Sequence, residues 1–239
     1  MYDGIVDSDL VTAAERPLLD AQMAFLGYRM ADPAVWSLDR GYNAGTANMS
    51  VSFILGLGVI ACTIPDHPAA PGWFEPARRR MLYWLENDVG DRGEWMEGSH
   101  YDQVTGSMFL AFALAARNAG FQDFTSHPKF RAMMRYIAVQ YTPPDPMRGG
   151  FRASPPLGRA NSGDRLGLAG LMARITAADD PEYSAAMQWM WQQAGAPTKV
   201  YDSRLGGTEF AVLDSRLPAR RPVVRSEDFP RSNVLLRHG

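Results

Sequence analysis

Between Gly93 and Gln103 the chain places a carboxylate (Glu97), an imidazole (His100) and a phenol (Tyr101) within five residues. Side chains of these three types can take and return protons when a fold holds them close to a reacting group. They fall where a helix begins. Ser99 is suited to cap it, because its hydroxyl can accept from an unpaired N–H of the first turn. From His100 onward Val104, Met108, Ala111, Leu114 and Ala115 recur at spacings of three and four, which is the helical period. A core helix seldom opens with Glu, His and Tyr together unless something polar binds there. The alternative is a capped helix whose Glu97 complements the helix dipole and whose Tyr101 is half buried.

The elements that must carry these residues read as seven helical segments, at about 9–30, 46–62, 75–87, 100–118, 128–141, 164–177 and 181–194. Segments with one wet face alternate with segments that are apolar nearly all round. The second, with Val51, Phe53, Ile54, Leu55, Leu57, Val59 and Ile60, is expected to be buried on all sides. The third carries Arg78, Arg79 and Arg80 on its wet side, and the fifth directs Arg131 and Arg135 outward. The fourth stops at Gly120, a residue suited to the C′ position, and the seventh opens with Pro181. Alternation of this kind is what an α/α toroid requires, with an inner ring covered on both sides and an outer ring wet on one. A plain bundle would give every helix a wet face. From about Gly206 the texture changes to short β-like runs, Thr208–Leu213 and Asn233–Leu236, separated by prolines. The expected fold class is therefore mainly α: an incomplete toroid of helical hairpins over 1–205, then a linker and the first strands of a β-sandwich over 206–239. Seven helices are fewer than a full double ring of twelve, so the chain reads as part of a longer protein.

Composition narrows the function classes. A net charge of −2 gives no overall field for nucleic acid or an anionic membrane, and no apolar run reaches the 18 residues of a membrane span. Of 24 basic residues only Lys129 and Lys199 are lysine. The rest are arginine, whose planar fork grips two oxygens of a carboxylate or sulfate. Cys62 is the single cysteine and sits in an apolar run, as a small inert thiol would. His67, His100, His127 and His238 lack metal-ligand spacing, and no phosphate loop or dinucleotide fingerprint is present, so no cofactor is expected. The N-terminal Met1-Tyr2-Asp3-Gly4 lacks the basic and apolar segments of a secretory leader, and composition does not decide localisation.

Three segments carry a family resemblance. Ala47-Asn48-Met49 opens the apolar second helix. Asp91 to Asp102 contains Glu97-Gly98 and then Tyr101. Asp228-Phe229-Pro230 is followed by Val234-Leu235-Leu236-Arg237. In this order they resemble the heparinase II/III-like polysaccharide lyases, a group that includes alginate lyases and joins an α/α toroid to a β-sandwich. Many members follow the Asn with His, where this chain has Met49. The family also draws a second His from its β domain, for which this chain offers no match.

The resemblance implies cleavage of a uronic acid polymer by β-elimination. Removing the C5 proton places charge on the adjacent carboxylate, which a nearby uncharged donor stabilises. The resemblance puts Asn48 in that role; on local sequence alone it could equally cap its helix. It puts Tyr101 on the catalytic tyrosine, as acid to the leaving O4 and also as base when both protons lie on one face of the sugar. His100 is adjacent in sequence but about 100° round the helix, so it either reaches the cleft or packs sideways. Glu97 could fix an arginine or a sugar hydroxyl. Arg152, with Arg159 and Arg165 in the loop 158–165, would bind carboxylate or sulfate, and Trp95 could stack on a sugar ring. Trp73, Trp84, Trp189 and Trp191 are expected to pack between helices. The partner implied is an acidic polysaccharide or oligosaccharide, and the flanks of an incomplete ring would favour self-association. Two other readings stay open: a toroidal glycoside hydrolase using Glu94 or Asp91 with Glu97, and a glycan-binding chain without turnover.

Overall fold

The computed structural model describes residues 9–35, 47–155, 167–198, 213–230 and 233–236. Among them are seven α-helices: α1 (Arg16–Ala31), α2 (Ala47–Thr63), α3 (Ala70–Tyr83), α4 (Ser99–Asn118), α5 (Pro128–Val139), α6 (Leu168–Thr176) and α7 (Pro181–Gln193). Strands β1 (Glu227–Phe229) and β2 (Asn233–Leu235) pair antiparallel, with Asp228 opposite Val234. The expectation of a mainly α chain with a small β element near its end holds. The expected run 208–212, the loop 156–166 and the boundary at 205/206 lie outside the described residues.

Local chemistry explains where these helices begin. α1 starts at Arg16, not near 9. Pro17 occupies its first turn, where a missing N–H costs nothing but where a preceding helical turn would meet the ring. Just upstream the Glu15 carboxylate accepts from Thr12 N at 2.9 Å and from its hydroxyl at 2.7 Å. α3 starts at Ala70, five residues before the expected 75, because Pro71 also falls in a first turn. It continues through Pro76 and runs into a single π-helical turn, Trp84–Asp88. At α4 the first helical bond runs from Asp102 N to Gly98 O at 2.9 Å. The capping position is therefore Gly98, not Ser99, which is already helical. Gly98 takes φ +89°, a conformation closed to most side chains. The other end of α4 meets its expectation, with Gly120 at φ +73° and Phe121 N bonded to Ala116 O at 2.9 Å.

The described residues group into two compact units. One contains α1, α2, α3 and the part of α4 from Met108, through Phe124. Here α1 packs on α2 and α2 on α3. Phe112 is the hub, its ring 5.6 Å from Phe74 and 5.4 Å from Phe124, while Phe74 stacks on Phe121 at 4.4 Å. A Cβ on Gly58 would come within 2.4 Å of the Phe112 ring and 2.6 Å of Ala77, so a side-chain-free position lets α2 approach. α2 is not sealed on every side: Ser52, Phe53, Gly56, Val59 and Thr63 form a half-buried stripe. Leu18 and Phe25 of α1 are exposed, so that helix leaves part of its apolar face uncovered.

The other unit contains Leu85–Ser107 and the chain from Thr125 on. α5 packs against α6 and α7, and α6 against α7. Asp180 caps α7 by accepting from Tyr183 N at 3.1 Å, and Pro181 fills its first position as expected. Segment 213–226 is tethered to α7 by Gln188 Nε2 to Asp214 O, 3.0 Å, and Arg220 N to Ala185 O, 2.9 Å. Arg135 keeps 38% of its side chain exposed, in line with its helical pattern, and grips Glu227 at 3.2 and 2.7 Å. Arg131 donates to Thr125 O at 2.8 Å and to Asp180 at 3.1 Å, and pairs with Asp179. These partners lie up to 92 positions away, so a helical wheel could not reveal them. Phe229 is buried against Tyr136, ring centroids 4.7 Å apart, and Arg92 donates to Asp228 O at 2.7 Å, which anchors β1. No helix among the described residues is long and apolar enough to cross a membrane.

Candidate functional site

The approach to α4 is a sequence of locked side chains. In the turn 90–94 Gly90 N bonds to Glu94 O at 2.9 Å, and Arg92 N donates to the Glu94 carboxylate at 3.1 Å. Glu94 is buried and committed to holding this turn. Trp95 follows at 1% exposure, with its indole N–H donating to Glu97 Oε2 at 3.0 Å. A ring buried to this degree cannot stack on a sugar, and Trp95 is instead the residue that aims Glu97. Thr105, two turns along α4, contacts the same oxygen at 3.4 Å. Glu97 is thus held from two sides and half buried.

Tyr101 stands half exposed in the first turn of α4. His100, at 7% exposure, packs edge-on against its ring at 5.1 Å and 78°. Of the two orientations open to His100, the structure takes the packed one. Asp102 points the other way and is wholly buried. Its Oδ2 accepts from Gln140 Nε2 at 3.3 Å. Burial raises the Asp102 carboxyl to about 7. The charge of Glu97 adds to the rise, and hydrogen bonds from Gln140, Tyr136 and the Gly98 backbone oppose it. Beside it Gln103 Nε2 donates to Ser154 Oγ, with both residues buried. The first half of α4 therefore buries Asp102, Gln103, Thr105 and Ser107, each with its own hydrogen-bond partner.

Arg152 is half buried, donates to Thr142 O at 3.2 Å and lies over the Trp189 ring at 5.6 Å. It lines a cavity of about 720 Å³ in the same unit, together with Gln140. Arg159 and Arg165 lie outside the described residues. Asn48, the second residue of α2, is half buried and belongs to the other unit. Within 95–101 the structure joins two pairs, Trp95 with Glu97 and His100 with Tyr101, and Arg152 lines a cavity wall in the same unit.

Two residues of this region were not singled out by sequence reasoning, Asp102 and Gln140. An acidic residue in a first helical turn reads as a complement to the dipole. The available signal was phase: Asp102 shares its face with Thr105 and Phe109, at i, i+3 and i+7, so it points into the core. Gln140, 38 positions away, had none.

Among the described residues no three His, Cys, Asp or Glu side chains are grouped to hold a metal ion. A comparison of the chain with protein-family models finds no match, and a comparison with curated proteins finds none either.

Proposed function

We propose that this chain is a polysaccharide lyase that cleaves a uronic-acid-containing polymer by β-elimination, on an α/α toroid of helical hairpins. The observation that carries the reading is Tyr101: a half-exposed phenol at a helix mouth, backed edge-on by buried His100 and following a Glu97 held by two donors. The packing of α2 on α3 and of α6 on α7 supports the hairpin architecture, and the ordered motifs around Asn48, Tyr101 and Asp228 support the lyase class.

In this chemistry the C5 proton leaves to a base, the C4–O4 bond breaks, and O4 receives a proton as a C4–C5 double bond forms. Tyr101 serves as the acid to O4. It serves as the base as well when its phenolate takes the C5 proton and then passes it to O4 on the same face, which returns the residue to its starting state. The resemblance gives Asn48 the role of donor to the substrate carboxylate, which an amide can fill without titrating. His100 packs the phenol in place rather than touching the sugar.

A glycoside hydrolase would need two carboxylates facing each other across the bond. Glu94 is committed to its own turn, Asp91 is 98% exposed beside Lys129, and Asp102 has no exposed surface. Incubating the chain with alginate, polygalacturonate and heparan-type polymers, and following near-ultraviolet absorbance of the unsaturated product, tests the reading. Tyr101→Phe is expected to lower the rate at least about a hundredfold. Turnover that survives that substitution unchanged, or product without the absorbance, would overturn it.

A further inference from the structure

The cavity of about 720 Å³ has a wall that the chemistry at Tyr101 does not use. Arg221 and Arg225 approach it from the tethered segment 213–226, and Arg152 from the hairpin loop that follows α5. Among the described residues none that lines it is acidic. Glu227, next along the chain, is turned away to Arg135. Among the described residues neither Arg221 nor Arg225 has an ion-pair partner, whereas Arg131, Arg135 and Arg216 all do. Arg221 and Arg225 line the same cavity, and like charges at one cavity favour an anion between them. Met190 and Leu235 add apolar lining, and Gln140, which donates to Asp102, adds a polar side chain. The volume lies in the range of small-molecule sites, and a cationic rim over a partly apolar floor matches a ring-bodied ligand with anionic substituents.

We infer that this cavity is a binding site for an acidic oligosaccharide, recognised through carboxylate or sulfate groups by Arg152, Arg221 and Arg225. That the ligand is a glycan rests on the lyase reading; that it is anionic rests on the arginines alone. The site holds chain and performs no chemistry, so its occupancy and the turnover at Tyr101 are separable.

The test is titration of the full 239-residue chain, followed by tryptophan emission, since Arg152 covers Trp189. The probes are tetrasaccharides from alginate, polygalacturonate and heparin, with neutral cellotetraose and inorganic sulfate. At least one acidic tetrasaccharide is expected to bind, cellotetraose not to bind, and sulfate to compete. The double variant Arg221→Gln/Arg225→Gln changes exposed side chains only. It should keep the melting temperature and weaken the acidic ligand about tenfold or more. Tyr101→Phe should bind as the parent chain does. Failure of every acidic probe to bind, equal binding of cellotetraose, or unaltered affinity in the double variant overturns the site. Arginine-dependent binding in a chain that makes no unsaturated product sinks the lyase reading and leaves the site standing.

Discussion

α4 is one helix with two kinds of surface. From Met108 on, Phe109, Leu110, Phe112, Ala113 and Ala116 are buried, and they pack with aromatic and aliphatic neighbours. From Ser99 to Ser107 the same helix buries Asp102, Gln103, Thr105 and Ser107. The first kind of surface is stabilised by area removed from water and by close packing. The second exchanges water for hydrogen bonds at little net gain, and a buried carboxylate there is costly when ionised. Polar burial of this sort is retained where it positions something. Here it lies directly behind Tyr101 and beside the arginine-rimmed cavity. One half of α4 is buried through apolar side chains, and the other buries polar ones next to the proposed site.

The sharpest way to break this contrast is at the apolar end. Phe112→Ala removes the hub of the aromatic cluster and should cost about 4 kcal/mol, read from denaturant midpoints. A loss below about 1 kcal/mol would mean the cluster does not carry that unit. Gly58→Ala should cost about 3 kcal/mol, because the added methyl meets Phe112 and Ala77 at under 3 Å and the helices must separate. It should be less than additive with Phe112→Ala, since removing the ring makes room for the methyl.

The polar end should respond to pH instead. Burial pushes the Asp102 carboxyl up to about 7, against about 3.9 for an exposed aspartate. Between those values the folded state binds more protons than the unfolded state, so stability falls as pH rises through that window. From pH 5 to pH 7 the loss should be about 2 kcal/mol. Asp102→Asn should flatten the slope and leave the variant no less stable than the parent at pH 8, as measured by urea unfolding across pH. A slope that persists in the variant would assign the titration elsewhere. Phe112→Ala should leave the slope unaltered, which separates the two ends of the helix.

Much of the architecture was legible from local pattern. Seven helices, the glycine after α4, the proline opening α7 and the β2 strand follow from periodicity and from residues whose dihedrals or hydrogen bonds are restricted. The start of α3 was not: the helix begins at Ala70 with Pro71 in its first turn, rather than near 75. Ser99 had the side chain for a cap, but the positive φ of Gly98 took the position. Trp95 had a sugar-stacking ring by composition, and burial turned it into a hydrogen-bond donor to Glu97.

By itself the sequence determined the helical class and the position of Glu97, His100 and Tyr101 at the mouth of a helix, because each depends on neighbours within a few residues. Tertiary structure alone decided that Asp102 meets Gln140, that Arg135 meets Glu227, and that Arg152, Arg221 and Arg225 surround one cavity. Those contacts join positions tens of residues apart. Their energies depend on burial and distance, which arise only when the helices pack.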